Sequence, residues 1–255
     1  MEADSVLVTG ANRGIGLELV RQLVDLPKPP RLVFATYRNR DTVQKLKDIR
    51  DATKNTQVIL IKMDVTIAEE LENAAKIVDD MVGEKGLTLL INNAGAAHRT
   101  PFPEATDETF LFNFTINTLG PIKVLKAMLP LLQRSADFHR NLDVGVSRAA
   151  VLNVSSAGGS IATTEYPNPG FNAHIGYRTS KAALNMAMRI IAFQYKDQGI
   201  LVVQMCPGWV KTDLGTDRGL LEVEDSVASI LNTLPTLDES HNGAFINNKG
   251  EPIPF

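Results

Sequence analysis

The amino-acid sequence predicts an α/β protein with one doubly wound parallel sheet and helices on both of its faces. One observation along the whole chain supports this prediction. Short apolar runs rich in β-branched residues alternate with longer segments of helical periodicity. This repeated βαβ pattern is typical of parallel sheets that helices cover on both sides. The 255 residues show no internal repeat or low-complexity block, so we expect a single domain over residues 1–255.

In the first part of the chain, strands and helices are predicted in strict alternation. The predicted strands are Ser5–Thr9, Arg31–Ala35, Val58–Lys62 and Leu87–Ile91. The predicted helices run from about Gly14 to Leu26, Asp41 to Thr53 and Ile67 to Val82. Pro27, Pro29 and Pro30 end the first helix, because proline lacks the N–H that a helix needs.

The second part of the chain continues the alternation with longer helices. We expect strands at Ala150–Val154, Ile200–Cys206 and, as the last one, Gly243–Asn247. We expect helices from about Thr106 to Gln133, kinked at Gly120 and Pro121, and from His174 to Asp197. The polar segment Ser135–Arg148 predicts a surface loop, and Ala157–Phe171 predicts a long loop on the substrate side of the sheet.

Composition and charge narrow the function classes. A formal net charge of -3 and a pI near 5.8 give no positive field for a phosphate backbone, so nucleic acid is not expected as a partner. The N-terminus lacks a signal-peptide pattern, and no apolar run approaches the ~20 residues that span a bilayer. We therefore expect a cytoplasmic protein without a membrane partner. Cys206 is the single cysteine and predicts a buried thiol without a disulfide.

Tyr177 and Lys181, in the segment YRTSK, suggest proton-transfer chemistry. Residues four apart share one face of a helix, and a cation beside a phenol is expected to lower the pKa of the phenol. This spacing also arises by chance, with a solvated tyrosine and a surface lysine as the alternative. The glycine-rich segment Thr9–Gly16 follows the first strand and opens a helix, which is the context that a dinucleotide pyrophosphate requires.

These segments, taken in their order along the chain, resemble one enzyme family. They are TGANRGIG at Thr9–Gly16, NNAG at Asn92–Gly95, NVSS at Asn153–Ser156, YRTSK at Tyr177–Lys181 and the Pro207–Gly208 pair. The chain thus resembles the short-chain dehydrogenases/reductases over nearly its whole length. It looks most like the carbonyl reductases of the sniffer and C-factor type, on the segments TGANRGIG, INTLGPIKVLKAMLPLL and GAFINNKGEPIPF. The resemblance implies a Rossmann fold.

The resemblance also implies a role for each catalytic residue. Tyr177 would donate a proton to a carbonyl oxygen, and Lys181 would lower its pKa and hold the nicotinamide ribose. Ser156 would orient the carbonyl, with Ser155 as the competing choice. Asn117 would anchor a water that links Lys181 to solvent, or would only be a helix amide bonded to nearby backbone. The gap from Ser156 to Tyr177 exceeds that of compact family members, which leaves the shape of the substrate loop open.

Charge near the end of the second strand favours NADP(H) over NAD(H). Arg38, with Arg13 from the glycine turn, is placed to clamp a ribose phosphate. Asp64 matches the family's contact to the adenine amine, with a plain surface carboxylate as the alternative. The other expected cofactor contacts are Gly10, Asn12, Gly14, Ile15, Gly16, Val65, Asn93, Ala94, Gly95, Pro207, Gly208, Val210 and Thr212, together with Tyr177 and Lys181.

No metal site is expected, since His98, His139, His174 and His241 are scattered and lack other ligands at suitable spacing. Tyr166, Phe171 and Trp209 are candidates for an apolar wall of the substrate pocket, with ordinary packing under loops as the alternative. His98 and His174 are candidates for its edge.

We expect an NADPH-dependent reductase that converts a ketone, aldehyde or quinone to an alcohol or hydroquinone. One alternative is a secondary-alcohol or steroid dehydrogenase that works oxidatively. Another is a regulatory protein that binds dinucleotide with little turnover, because a fold alone does not imply a function. The resemblance further implies a homodimer or larger homo-oligomer, paired through Leu111–Leu132 and Ala182–Phe193.

Overall fold

A computed structural model describes residues 2–164 and 174–255. Within these residues, seven parallel strands form one sheet in the order β3-β2-β1-β4-β5-β6-β7. The strands are β1 (Ser5–Val8), β2 (Leu32–Tyr37), β3 (Gln57–Lys62), β4 (Leu89–Asn92), β5 (Ala150–Val154), β6 (Leu201–Cys206) and β7 (Phe245–Asn247). The predicted fold class is confirmed. The strand order reverses between β1 and β4, which is the switch point where such sheets bind ligands.

Helices cover both faces of the sheet. They are α1 (Gly14–Val24), α2 (Gln44–Ala52), α3 (Ala68–Val82), α4 (Asp107–Phe114), α5 (Gly120–Phe138), α6 (Ile175–Gln194) and α7 (Val223–Thr233). Buried side chains of α1, α2 and α7 pack on one face, and those of α3, α5 and α6 pack on the other. Strands β1, β4, β5 and β6 are buried throughout, which explains their continuous apolar runs.

Helix α7 was not expected from the sequence. Val227, Ile230 and Leu231 lie at helical spacing and are buried against the sheet, and Glu224 and Asp225 occupy the first turn. Both signals are present in the sequence, so this helix could have been identified.

The long helix expected over Thr106–Gln133 is divided into α4 and α5 by a π-helical turn at Thr115–Leu119. The irregularity thus comes directly before the Gly120–Pro121 pair. Glycine is needed at position 120 for packing, because a Cβ built there would lie 2.8 Å from Val65 Cγ2. Helix α5 continues to Phe138, so the surface loop predicted from Ser135 is wrong in its first four residues.

No helix among the described residues is long and apolar enough to cross a membrane.

Candidate active site

The glycine turn lies at the carboxyl end of β1 and leads into α1. Gly10 and Gly14 have φ of +63° and +52°, a region that favours glycine. A Cβ on Gly16 would collide with the Gly10 carbonyl oxygen and lie 2.5 Å from Asn93 Nδ2. Helix α1 has neither an acidic residue in its first turn nor a side-chain cap. Its N–H groups and positive dipole end are therefore available to an anion, as a pyrophosphate site requires.

The NNAG segment holds this turn in place. Thr9 Oγ1 accepts hydrogen bonds from the backbone N–H of Asn93 at 3.0 Å and of Ala94 at 2.9 Å. Asn93 Nδ2 donates to the Thr9 carbonyl at 2.9 Å and to the Gly10 carbonyl at 3.2 Å. Asn93 thus positions the cofactor turn. Its neighbour Asn92 donates to Asn153 Oδ1 at 2.9 Å and so joins β4 to β5.

The residues expected near the adenosine end lie along the carboxyl ends of β2 and β3. Arg38 is exposed directly after β2. Asn12 Nδ2 donates to Thr42 Oγ1 at 2.7 Å and so joins the glycine turn to the segment after β2. Asp64 is half-buried, and its Oδ1 accepts from the Thr66 N–H at 2.9 Å and hydroxyl at 2.7 Å. Val65 is buried against Gly120.

A loop after β6, residues 207–221, crosses to the glycine turn. Arg13 Nη1 lies 2.9 Å from Asp213 Oδ2, and both side chains are exposed. Thr212 Cγ2 would lie 3.4 Å from a Cβ built on Gly14. Val210 is buried and forms a β-bridge with Leu221. The structure therefore brings the loop and the glycine turn to the same groove.

Tyr177 and Lys181 share one face of α6, as their spacing predicts. Lys181 is 4% exposed, and its Nζ lies 5.9 Å from the centroid of the Tyr177 ring. The ammonium donates a hydrogen bond to the Val154 carbonyl at 2.8 Å. Both side chains therefore meet the carboxyl end of β5, next to the end of β4. The alternative of a surface lysine does not hold.

Ser155 and Ser156 follow β5 and face different partners. Ser155 is buried, and its hydroxyl donates to Asn185 Oδ1 at 2.6 Å. Ser156 is half-buried, accepts a hydrogen bond from the Gly158 N–H at 3.1 Å and is hydrogen-bonded to the Tyr177 side chain. The structure thus brings Ser156, and not Ser155, to the tyrosine.

Comparison with known proteins agrees with this arrangement. The family model described as short chain dehydrogenase matches residues 4–220. The chain belongs to the short-chain dehydrogenase family. The carbonyl reductase Sniffer of D. melanogaster superposes with a TM-score of 0.93 at 35% identity, over 99% of each chain. An NADPH-bound carbonyl reductase from chicken fatty liver gives 0.93 at 37% identity, over 100% of this chain and 95% of that one. The C-signal protein of Myxococcus xanthus is 34% identical over 66% of this chain and 92% of its own length.

In this short-chain dehydrogenase, burial is the largest influence on the pKa values of Tyr177 and Lys181. Burial raises the pKa of Tyr177 to about 12, partly offset by the hydrogen bond with Ser156, while Cys206 raises it and Arg99, the smallest of these influences, lowers it. Burial also lowers the pKa of Lys181 from 10.5 to about 8. Lys181 is not among the groups that shift the pKa of Tyr177 here, so the expected lowering of that pKa by Lys181 stays a prediction.

Asn117 lies in the π-helical turn and is fully buried. Its Oδ1 accepts from the Ala96 N–H at 3.0 Å, and its Nδ2 donates to the Ala96 carbonyl at 2.8 Å and to Ser180 Oγ at 3.0 Å. π-Helical turns are frequent at functional sites. The side chain holds the loop after β4 beside Lys181, since a Cβ on Gly95 would lie 3.3 Å from Asn117 Oδ1 and 3.9 Å from Lys181 Nζ.

The loop after β6 begins at Pro207 and Gly208. Gly208 has φ of +87°, and a Cβ there would lie 2.6 Å from Leu221 Cδ1. The Pro207 carbonyl accepts from the Ser226 hydroxyl at 2.7 Å, which ties the loop to α7. Cys206 is buried, as expected, and burial raises the pKa of its thiol.

Some expectations for the substrate pocket receive no test. Tyr166 and Phe171 lie outside the described residues. Trp209 is 44% exposed, and its Nε1 donates to the Gly215 carbonyl at 2.7 Å. Within residues 2–164 and 174–255, no group of three His, Cys, Asp or Glu side chains is suited to a metal ion.

Sequence reasoning missed three residues that this site uses. Asn185 holds Ser155, Asn113 holds the loop after β4, and Arg99 joins that loop to the loop after β6. Asn113 is four residues before Asn117, and Asn185 is four residues after Lys181. Helical spacing from the known motifs could therefore have indicated both asparagines. Arg99 had no such signal.

Proposed function

We propose that this short-chain dehydrogenase is an NADPH-dependent carbonyl reductase that converts a ketone, aldehyde or quinone to an alcohol or hydroquinone. One observation carries the proposal. The Tyr177 hydroxyl, with a pKa of about 12, is hydrogen-bonded to Ser156 beside the buried Lys181. A phenol with this pKa stays protonated at neutral pH, and a protonated phenol is the donor that a carbonyl oxygen needs during reduction.

Ser156, Tyr177 and Lys181 would each have a separate role in the reduction. NADPH, when bound, supplies the hydride. Ser156 would donate to the carbonyl oxygen and stabilise the charge that develops there, by roughly 2–4 kcal/mol as for other oxyanion donors. Tyr177 would transfer its proton to the same oxygen. Lys181 would hold the nicotinamide ribose and, while charged, favour the loss of that proton.

Return of a proton to Tyr177 would follow a path past Lys181 and Asn117. The Asn117 amide already bonds Ala96 and Ser180, so its first role would be to keep the loop after β4 in place. We propose that the Asn117 side chain also anchors a water between Lys181 and solvent.

The cofactor proposal is tested first by the fit of the residues present. The glycine turn offers backbone N–H groups without a competing carboxylate in the first turn of α1. Arg38 is exposed at the end of β2, where an acid would hold the free ribose hydroxyls of NAD(H). Arg38 and Arg13 would bind the ribose phosphate through charge-assisted hydrogen bonds. The NADPH-bound chicken carbonyl reductase, at 37% identity, supports the same choice.

The other cofactor contacts would follow the groove between the glycine turn and the loop after β6. Asp64 would reach the adenine amine through Oδ2, since Oδ1 already accepts from Thr66. Val65 would pack beside the adenine. Val210 and Thr212 would close over the nicotinamide end.

A stripe of apolar side chains supports a homodimer. Met186, Ile190 and Phe193 follow one face of α6 and are 62%, 59% and 56% exposed. Leu111, on the adjacent α4, is 65% exposed. An exposed apolar patch on paired helices is typical of a subunit interface. Light scattering should give twice the mass of one chain, and Ile190→Glu should give a monomer; a monomeric wild type would contradict the dimer. A cytoplasmic location is also proposed and is tested by fractionation.

Two alternatives remain distinguishable. An oxidative secondary-alcohol or steroid dehydrogenase would use the same residues in the reverse direction, and assays with NADP⁺ and an alcohol against NADPH and a carbonyl compound distinguish the two. A regulatory dinucleotide-binding protein would bind NADPH without turnover. A Tyr177→Phe variant that restored the phenotype of cells lacking the protein would favour the regulatory protein.

The test is NADPH and NADH consumption over quinones, isatin-like diketones, aldehydes and keto-steroids. We expect turnover with NADPH that Tyr177→Phe abolishes. Absence of turnover on every compound, despite tight NADPH binding, would contradict the reductase.

A further inference from the structure

The loop after β4 runs along the catalytic helix and is held by two asparagines. Asn117 bonds both backbone groups of Ala96. Asn113, fully buried and one helical turn earlier, does the same for His98: Oδ1 accepts from the His98 N–H at 3.2 Å, and Nδ2 donates to the His98 carbonyl at 3.1 Å. Because both backbone groups of two alternate residues are bound, the path of this loop is fixed.

The two hydrogen bonds between Asn113 and His98 bring the end of the loop close to Tyr177. A Cβ built on Gly176, the residue before Tyr177, would lie 3.0 Å from Asn113 Nδ2. At the other end of the loop, a Cβ on Gly95 would lie 3.9 Å from Lys181 Nζ. The loop thus runs from Lys181 towards Tyr177. Arg99, which follows His98, therefore lies at the end of the loop that is near Tyr177.

Arg99 spans the mouth of the site between two loops. Its Nη2 donates to the Leu214 carbonyl in the loop after β6. Among the described residues, no carboxylate forms an ion pair with it. Asp213, the neighbour of Leu214 in that loop, pairs with Arg13 instead. A guanidinium has five N–H donors, so most of those on Arg99 remain for a ligand.

The positive charge of Arg99 has a small effect on Tyr177. Its attraction lowers the pKa of Tyr177, although burial outweighs the effect. Apolar surface lies beside it: Leu214 is 37% exposed, and the rings of His98 and Phe112 stack edge to face at 5.8 Å. A cation bordered by apolar surface fits a substrate that combines a hydrophobic body with a negative group.

We propose that Arg99 is a specificity-determining residue that binds a carboxylate on the carbonyl substrate, and that Asn113 is the positioning residue that aims it. The substrate class is therefore an aldehyde or ketone that carries a carboxylate. This inference rests on the proposed reductase function. The competing explanation is a strut, in which Arg99 only ties the two loops together through Leu214.

Two aldehydes that differ in charge separate these explanations. Wild type and Arg99→Gln are compared on 4-carboxybenzaldehyde and on its neutral methyl ester, methyl 4-formylbenzoate, with NADPH. Loss of charge-assisted hydrogen bonds should lower kcat/KM for the acid by about tenfold to a hundredfold, chiefly through KM. The ester should change by less than about threefold. Arg99→Lys should recover part of the preference. The control Arg218→Gln, in the loop after β6 that Arg99 contacts, should leave kcat/KM unchanged for both substrates.

Equal loss on acid and ester would overturn the inference in favour of the strut. Asn113→Ser should raise KM for the acid more than for the ester, and equal effects on both would overturn its positioning role. Binding of 4-(hydroxymethyl)benzoate in the presence of NADP⁺, measured by calorimetry, gives a readout without turnover. If wild type reduces isatin or a quinone but neither aldehyde, the substrate class is overturned while the reductase function stands, and no turnover on any of these compounds contradicts the reductase function. Equal calorimetric affinity for wild type and Arg99→Gln would overturn the anion site separately.

Discussion

The Arg13 guanidinium and the Asp213 carboxylate connect the glycine turn to the loop after β6, with 2.9 Å between Nη1 and Oδ2. Both side chains are more than half exposed. Exposed pairs of this kind contribute only about 0–1 kcal/mol. Arg13 can therefore exchange its partner for a ribose phosphate at little cost.

Asp213→Asn should strengthen NADPH binding severalfold, because the phosphate no longer competes with a carboxylate for Arg13. NADH binding should not change. Fluorescence titration of both cofactors measures this directly, and thermal stability should stay close to that of wild type. An equal change for NADPH and NADH would show that Asp213 does not act through the phosphate.

Arg38→Asp should weaken NADPH far more than NADH, by about tenfold or more, because it removes a charge-assisted bond and adds repulsion. Dissociation constants for both cofactors provide the measurement. Arg50→Asp is the matched control, since Arg50 lies near Arg31 and Gln57 at the amino ends of the strands. If NADPH and NADH lost affinity equally, the assignment of Arg38 to the phosphate would be wrong.

The pH dependence follows from Lys181. Its ammonium is mostly charged below its pKa of about 8 and neutral above it, so kcat/KM for reduction should be flat below that pH and fall above it. The free energy of unfolding should change with pH in the opposite direction to the activity. Between pH 8 and 10 the folded protein binds fewer protons than the unfolded chain, in which this lysine titrates near 10.5, so this group makes stability rise with pH.

Lys181→Met should remove both effects and should not lower the melting temperature at pH 7, because it deletes a buried cation. Above pH 10, Tyr177 acts against stability, since its raised pKa keeps it protonated only in the folded state. Activity profiles and melting curves from pH 6 upwards test these signs. A pH profile of activity that is the same in Lys181→Met and wild type would contradict the role of the ammonium.

The buried side chain of Gln204 is expected to destabilise the fold. It is fully buried in β6, and its side-chain nitrogen and oxygen have no hydrogen-bond partner among the described residues. Gln204→Met keeps the shape and removes two buried polar atoms, which should stabilise the fold by roughly 1–3 kcal/mol. The melting temperature should rise by about 2–4 °C for each kcal/mol. Asn153→Leu, which breaks the bond to Asn92, should lower it. A lower melting temperature for Gln204→Met would mean that the amide is satisfied in solution.

Much of the fold and of the candidate site follows from local sequence signals. Apolar strands, glycine turns and the Tyr177–Lys181 spacing are short-range patterns, and the structure places them at one edge of the sheet. The pKa of Tyr177 could not follow from such patterns, because burial depends on residues far apart in the chain. The role of Arg99 likewise depends on a contact with Leu214, which is 115 residues away.

We propose that Tyr177 donates the proton when NADPH reduces a carbonyl. The most direct test is a single-turnover measurement with isatin, in which wild type and Tyr177→Phe are first loaded with NADPH and shown by fluorescence to bind it equally. We predict rapid NADPH oxidation by wild type and a rate at least about a hundredfold lower for the variant. Equal rates in the two proteins would contradict this role of Tyr177.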